Sequence, residues 1–226
     1  MRLLAIETSC ERGSLALLDG DTLLSHTADA GGPHSSWVLP EVRRLLADGG
    51  LTLRELDAIA YGAGPGGFTG LRLACGITQG LAFGAGLPVI GIGSLEALAF
   101  ASGRSRCYVA LDARMNEVYF AAYLCASEDI ETVIAPGVAA PAQVPVPPGG
   151  GWHGCGSGFG AYAGALWASL GEAIGSSDDQ AIPHAGYVAR LAAARCNRCA
   201  QDASQAQPLY VRDKVALTTT ERLARG

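Results

Sequence analysis

The chain has 226 residues, of which 49% are hydrophobic and 16% charged, with a formal net charge of −5. That balance excludes a disordered chain, and the length allows one large domain or two small ones, each able to bury a core without disulfide staples. All but one of the 16 basic residues are Arg, and no basic stripe exists to displace counterions from a nucleic acid, so unaided RNA or DNA binding is disfavoured.

The first half falls into clear units. Leu3–Ile6, Ser14–Leu18 and Thr22–His26 are apolar runs, the last two joined by the hairpin signal Asp19-Gly20, and they predict an antiparallel meander. A helix follows, with Ser35 or Ser36 as its cap and Pro40 in or near its first turn. Val38, Val42, Leu45 and Leu46 share one face of it, and Gly49-Gly50 stop it. Thr52 and Glu55 have capping-box spacing for a short turn. Asp57–Ala63 reads as a buried strand, Leu71–Ala85 as a helix, Pro88–Ile92 as a strand, and Ser94 caps a helix to about Ala101. The order β-β-β-α-β-α-β-α implies a mixed sheet in an α/β unit.

The second half is less regular. Cys107–Leu111 and Val118–Leu124 are strands around the turn Asp112–Glu117, and Ile130–Ile134 is read as a third. Gly137–Gly151, rich in Pro, Ala and Gly, is read as loop or poorly formed structure. Ala161–Leu170 is helical, and so is His184–Gln201, with Tyr187, Leu191 and Ala194 on one face. Gln207–Arg212 is read as a last strand, and the boundary between halves falls near Ser102–Ser105.

The 31 Gly are about twice the usual share and need a place to go. Gly64–Gly70 lies between a strand and a helix, where backbone N–H groups suit anions. It lacks the P-loop Lys, so a tight strand–helix connection competes with a phosphate cradle. Gly76, Gly80 and Gly84 recur every four residues and flatten one helix face, at a helix cost of about 1 kcal/mol each. Packing inside the domain and approach of a partner helix both account for that stripe. Gly154–Gly160 lacks the dinucleotide fingerprint and reads as a structural turn.

Other chemistry finds little support. His26, His34, His153 and His184 form no pair at three- or four-residue spacing, and Cys196 and Cys199 make a lone Cys-x-x-Cys inside a helix, so no metal site is expected. No Gly-x-Ser-x-Gly elbow is present, and Asp112, Arg114 and Glu117 read as a salt-bridged turn. The seven Cys sit largely in apolar runs. No apolar stretch approaches the ~20 residues of a membrane span and no signal peptide opens the chain, so a reducing cytoplasm is expected.

Four strings together resemble a known family: Leu4–Ser9 (LAIETS), Tyr61–Arg72 (YGAGPGGFTGLR), Leu111–Tyr119 (LDARMNEVY) and Pro208–Arg212 (PLYVR). They look like the TsaB (YeaZ) family, a subunit of the bacterial machinery that makes threonylcarbamoyladenosine at position 37 of tRNAs reading codons that begin with A. The resemblance implies an actin-like ATPase fold of two ribonuclease-H-like lobes, placed here at residues 1–103 and 104–226. It implies a non-catalytic scaffold that binds TsaD, with the ATPase TsaE joining and tRNA contacted only indirectly; a homodimer through the same face is a further reading of the chain when alone. No tightly bound cofactor is implied, and ATP or ADP enters only in the assembled complex. The partner-facing residues implied are Val38, Val42, Leu45, Leu73, Gly76, Ile77, Gly80, Leu81 and Gly84. The nucleotide-facing loops implied hold Glu7, Thr8, Ser9, Gly64, Gly66, Gly67, Gly156 and Gly158. The paralogue TsaD holds a metal through a His-x-x-x-His pair that this sequence lacks, and Glu7 stands where the family's opening motif usually has Asp. A degenerate glycopeptidase or ATPase of the same superfamily is the competing reading.

Overall fold

A computed structural model describes residues 1–29 and 31–212; the single Lys, Lys214, lies outside them. The first sheet is built from β1 (Arg2–Glu7), β2 (Ser14–Asp19), β3 (Thr22–Thr27), β4 (Ala58–Gly64) and β5 (Val89–Gly93), in the order β3-β2-β1-β4-β5. The meander pairs antiparallel, and β4 and β5 join parallel. Between them run α1 (His34–Asp48) and α2 (Phe68–Ala85), with α3 (Ser94–Ala101) after β5.

Strand β1 shows why the sheet has two covered faces. Its side chains alternate: Leu4 and Ile6 enter a cluster with Val38, Val42 and Leu45 of α1 and Ala74 of α2. Leu3 and Ala5 face the other way, onto Ala185, Val188, Ala189 and Ala192. A continuous apolar run is what a strand buried on both sides requires.

The second sheet repeats the plan. It contains β6 (Arg106–Asp112), β7 (Val118–Ala126), β8 (Asp129–Ala139), β9 (Trp152–Cys155) and β10 (Ile174–Asp178), ordered β10-β9-β6-β7-β8. Again three strands pair antiparallel and two join parallel. Two ribonuclease-H-like units of the same order therefore make up the α/β, actin-like architecture that the family resemblance implies. The short α4 (Gly158–Ala161) and α5 (Ala163–Leu170) cover one face, through Phe159, Leu166 and Leu170.

Two helices cross between the units. Leu95, Leu98 and Ala99 of α3 pack on the second sheet, against Cys107, Val109 and Tyr123. The last helix, α6 (Ala185–Cys199), returns to cover the first sheet, although it belongs to the stretch 104–226. Glu96 of α3 and Arg195 of α6 close this layer with a 2.8 Å ion pair. No helix among the described residues is long and apolar enough to cross a membrane.

Several local expectations need correction. Helix α1 starts earlier than read, with Pro33 at its N-cap and no side-chain cap; Ser36 Oγ instead donates back to the Pro33 carbonyl at 3.1 Å. Pro40 therefore lies inside the helix rather than in its first turn, and its exposure leaves the unpaired carbonyl to water. Glu55 does accept from both Thr52 N–H and Thr52 hydroxyl. Ser94 is the first residue of α3, not its cap, because its hydroxyl is engaged elsewhere. In α6 the buried face is Ala185, Val188, Ala189 and Ala192 with Leu191, while Tyr187 and Ala194 point outward. Part of Gly137–Gly151 is ordered as the end of β8, and β10 escaped the sequence reading. Gln207–Arg212 is no strand; it is an extended segment with one backbone bond, Leu209 N–H to the Ala63 carbonyl.

Candidate functional site

The ends of β1 and β4, the start of α2, the β6–β7 turn and the segment 209–212 surround a cleft of about 1300 Å³ between the two sheets. Thr8, Ser9, Gly66 and Gly67 line it. Glu7, Gly64, Gly156 and Gly158 do not.

Glu7 is fully buried beneath the cleft floor. Its carboxylate accepts from Ser9 N–H at 2.7 Å and from Ser94 Oγ at 2.8 Å, and Ser94 Oγ in turn accepts from Gly64 N–H at 3.2 Å. Burial pushes its pKa up, against the lowering by these hydrogen bonds. Gly62 makes this placement possible, since a Cβ there would overlap the carboxylate. The charge that the opening motif carries therefore ties β1 to α3 and the Gly loop and does not face the cleft.

The Gly64–Gly70 loop resolves toward a tight connection. Gly67 N–H, at the head of α2, donates to the Ser9 carbonyl at 2.7 Å. Thr8 Oγ1 donates to the Gly70 carbonyl at 2.7 Å. A Cβ on Gly66 would lie 2.6 Å from the Ser9 carbonyl oxygen, and one on Gly70 would overlap that of Thr8. The glycines let two backbone segments touch, and the loop's first amide serves the protein itself rather than a phosphate. Glu7 is withdrawn from the cleft, and Gly67 N–H and Thr8 Oγ1 are engaged within the chain, so these three groups do not fit the metal–nucleotide role that the actin-like fold implies. Ser9 Oγ is a buried hydroxyl without a partner at the same wall.

The second Gly loop is likewise a packing device. Gly156 has φ of +108°, and a Cβ there would meet the Ala110 carbonyl at 2.5 Å; one on Gly158 would meet it at 2.9 Å. Only Ser157 and Ala161 of this region reach the cleft.

Opposite α2, the β6–β7 turn holds Arg114, Met115 and Asn116 all in the left-handed region, φ of 60°, 57° and 61°. This geometry throws Arg114 across the cleft, where its guanidinium meets Glu11 at 2.6 Å and Asp112 at 3.2 Å. Arg212 binds the same turn through Glu117 and the Ala113 carbonyl. Tyr210 accepts from Arg72 Nε at 3.0 Å, and Arg72 stacks on Phe68 at 3.8 Å. The expected salt-bridged turn is present, but its partners Glu11 and Arg212 were missed. They lie about a hundred residues away in sequence, and no local pattern marks them.

The helix faces divide the partner-facing set. Val38, Val42 and Leu45 are core, so they are not available to a partner. Leu73, Ile77 and Leu81 are half-buried against the same core. Gly76, Gly80 and Gly84 are exposed, and a Cβ built on each would meet nothing within 4 Å among the described residues. Packing inside the domain therefore does not explain the stripe. Phe83 stands beside it, 84% exposed.

A family model described as "TsaD: tRNA N6-adenosine threonylcarbamoyltransferase" matches residues 28–153. Fold and match together place the chain in the TsaD-related class of two-lobed α/β proteins. The tRNA threonylcarbamoyladenosine biosynthesis protein TsaB of Escherichia coli is 34% identical over 233 residues, 96% of this chain and 96% of that protein. TsaB of Haemophilus influenzae is 47% identical over 124 residues, 53% of this chain and 52% of that one. The crystallised YeaZ of Pseudomonas aeruginosa superposes with a TM-score of 0.85 at 37% identity, covering 92% of this chain and 99% of its own. The chain belongs to the TsaB (YeaZ) family of tRNA threonylcarbamoyladenosine biosynthesis proteins.

Proposed function

We propose that this protein is a non-catalytic subunit that binds TsaD and makes it competent to transfer the threonylcarbamoyl group to N6 of adenosine 37 in tRNAs reading codons that begin with A. The observation that carries the reading is the Gly76/Gly80/Gly84 face of α2. Three helix-weakening glycines stand in the open beside an exposed Phe83. Such a face costs stability in the free chain and is offset only when another helix lies close against it. The engaged Gly67 amide and Thr8 hydroxyl and the buried Glu7 support the same reading, because these groups at the cleft end are held by the protein itself. TsaE joins the assembled complex, and tRNA is reached through TsaD.

Because the surface is one face, a second copy of this chain occupies it when TsaD is absent. Gly80→Leu puts a branched side chain in the middle of the stripe while leaving the core untouched. The variant is expected to stay folded and to elute apart from the organism's TsaD on size exclusion. Co-elution of the folded variant with TsaD at the wild-type ratio overturns the assignment of this face. A modification assay with each subunit omitted then reads the functional part of the proposal: turnover without this chain refutes its role as activator.

A further inference from the structure

Outside the cleft, the second sheet holds a pair of thiols that the scaffold reading does not use. Cys107 on β6 and Cys155 on β9 occupy adjacent parallel strands, with Val109 opposite Cys155 and Cys107 opposite His153. Both side chains enter the cluster formed with Leu95 and Leu98, and both are fully buried. Their Sγ atoms are 2.9 Å apart and share a hydrogen bond. A disulfide needs about 2.05 Å, so the sulfurs are under about 1 Å from bonding distance, and because the register sets the two cysteines two residues apart along the strands, closure also draws the backbones of β6 and β9 together.

The other thiols differ. Burial pushes Cys10 and Cys125 up to about 12, and it also raises Cys75 and Cys196. Cys107 moves the opposite way, because the bond from Cys155 favours its thiolate. The same contact and burial push Cys155 up. An ionisable thiol touching a second thiol is the arrangement in which oxidation stops at a disulfide rather than running on to sulfinic acid. Cys155, although 0% exposed, lies against the wall of a cavity of about 420 Å³ with His153, Arg104 and Asp178, and this is the side from which the pair is nearest to solvent.

We propose that Cys107 and Cys155 are a modification site, closing to an intramolecular disulfide when hydrogen peroxide enters this cavity. The Cys155 sulfur, which borders the cavity, loses its proton and attacks one peroxide oxygen, the O–O bond breaks, and water and a sulfenic acid form. The second sulfur attacks the sulfenic sulfur, the S–O bond breaks, the S–S bond forms, and a second water leaves. The two sulfurs are oxidised, the peroxide is reduced, and both thiol protons end in the two waters.

The test uses the full wild-type chain, treated with hydrogen peroxide, denatured with an alkylating reagent present, and mapped by mass spectrometry. The expected product has lost two hydrogens, links the peptides containing Cys107 and Cys155, and returns to two alkylated thiols after dithiothreitol. The oxidised chain also melts higher, since the link ties two strands whose intervening chain otherwise opens on unfolding. Cys155→Ser removes the link, and Cys75→Ser leaves it in place. Full alkylation of Cys107 and Cys155 after peroxide, a link between any other pair, or sulfinic acid at Cys107 with no link each overturns the proposal.

Discussion

Replacing Gly76, Gly80 and Gly84 together by Ala separates what the stripe does in the free chain from what it does in a complex. All three lie within α2 with space around the added methyl, so no clash offsets the gain in helix propensity. Each exchange is worth about 0.4–1 kcal/mol, partly through the unfolded chain, giving roughly 1–3 kcal/mol for the three. For a chain of this size that raises the melting temperature by about 2–12 °C. Binding is expected to move the other way. A helix seated on a glycine face approaches closely, and three methyls in that contact act as overpacking, worth on the order of 1–3 kcal/mol or about 10- to 100-fold in affinity. Thermal unfolding followed by circular dichroism, at a concentration where light scattering gives a monomer, and titration calorimetry against TsaD read the two effects. A melting temperature that falls or stays level refutes the claim that the stripe is open. A higher melting temperature with unchanged affinity for TsaD refutes the claim that the stripe is the interface.

Two further substitutions probe the interior. Leu45→Ala removes a fully buried side chain between α1 and the first sheet, and is expected to cost about 2–5 kcal/mol in urea unfolding; affinity for TsaD, measured on the folded fraction, stays at the wild-type value, and a large affinity loss without a stability loss contradicts its place in the core. Glu7→Gln tests the buried carboxyl by its pH signature. The folded pKa lies above the ordinary 4.5, so the native state holds the proton when the unfolded chain has released it. The resulting stability is full below about 4.5 and is lost as pH rises from there through the raised folded value. The wild-type minus Glu7→Gln difference in unfolding free energy should therefore shrink as pH rises, and a difference that grows with pH contradicts the raised value.

What could be read in advance follows from how local each cause is. Strands β1, β2, β4 and β5 are short apolar runs bounded by turn residues, and both faces of the sheet need them apolar. Strand β10 reads IGSSD and buries only Ile174, so no periodicity betrays it; it is held by pairing with β9. Pro40 looked like a first-turn residue because the serines before it are good caps, yet Pro33 begins the helix and the exposed side tolerates the lost hydrogen bond. The family strings were legible and the site's geometry was not. Glu7 is buried because Gly62 makes room and Ser94, 87 residues away, supplies a donor. Arg212 binds Glu117 across 95 residues. Such pairings are products of the topology, and a single sequence carries no local trace of them.

The two ends of α2 differ in what remains unsatisfied. At its N-terminus the Gly67 amide, the Thr8 hydroxyl and the Ser94 hydroxyl each have a partner inside the chain, while the Ser9 hydroxyl has none among the described residues. Across the same cleft Arg114 is held by Glu11 and Asp112, and Arg212 ties the 207–212 segment to the turn. Exposed pairs of this kind contribute little stability singly, about 0–1 kcal/mol, but several of them on one strap fix the relation of the lobes at small cost. Along the helix, by contrast, Gly76, Gly80, Gly84 and Phe83 have no contacts to lose. Each exposed helical Gly costs stability relative to Ala, and all three of these costs fall on one face of α2, which they leave flat. That flat face is the physical ground on which the proposed contact with TsaD is placed on the outer side of α2.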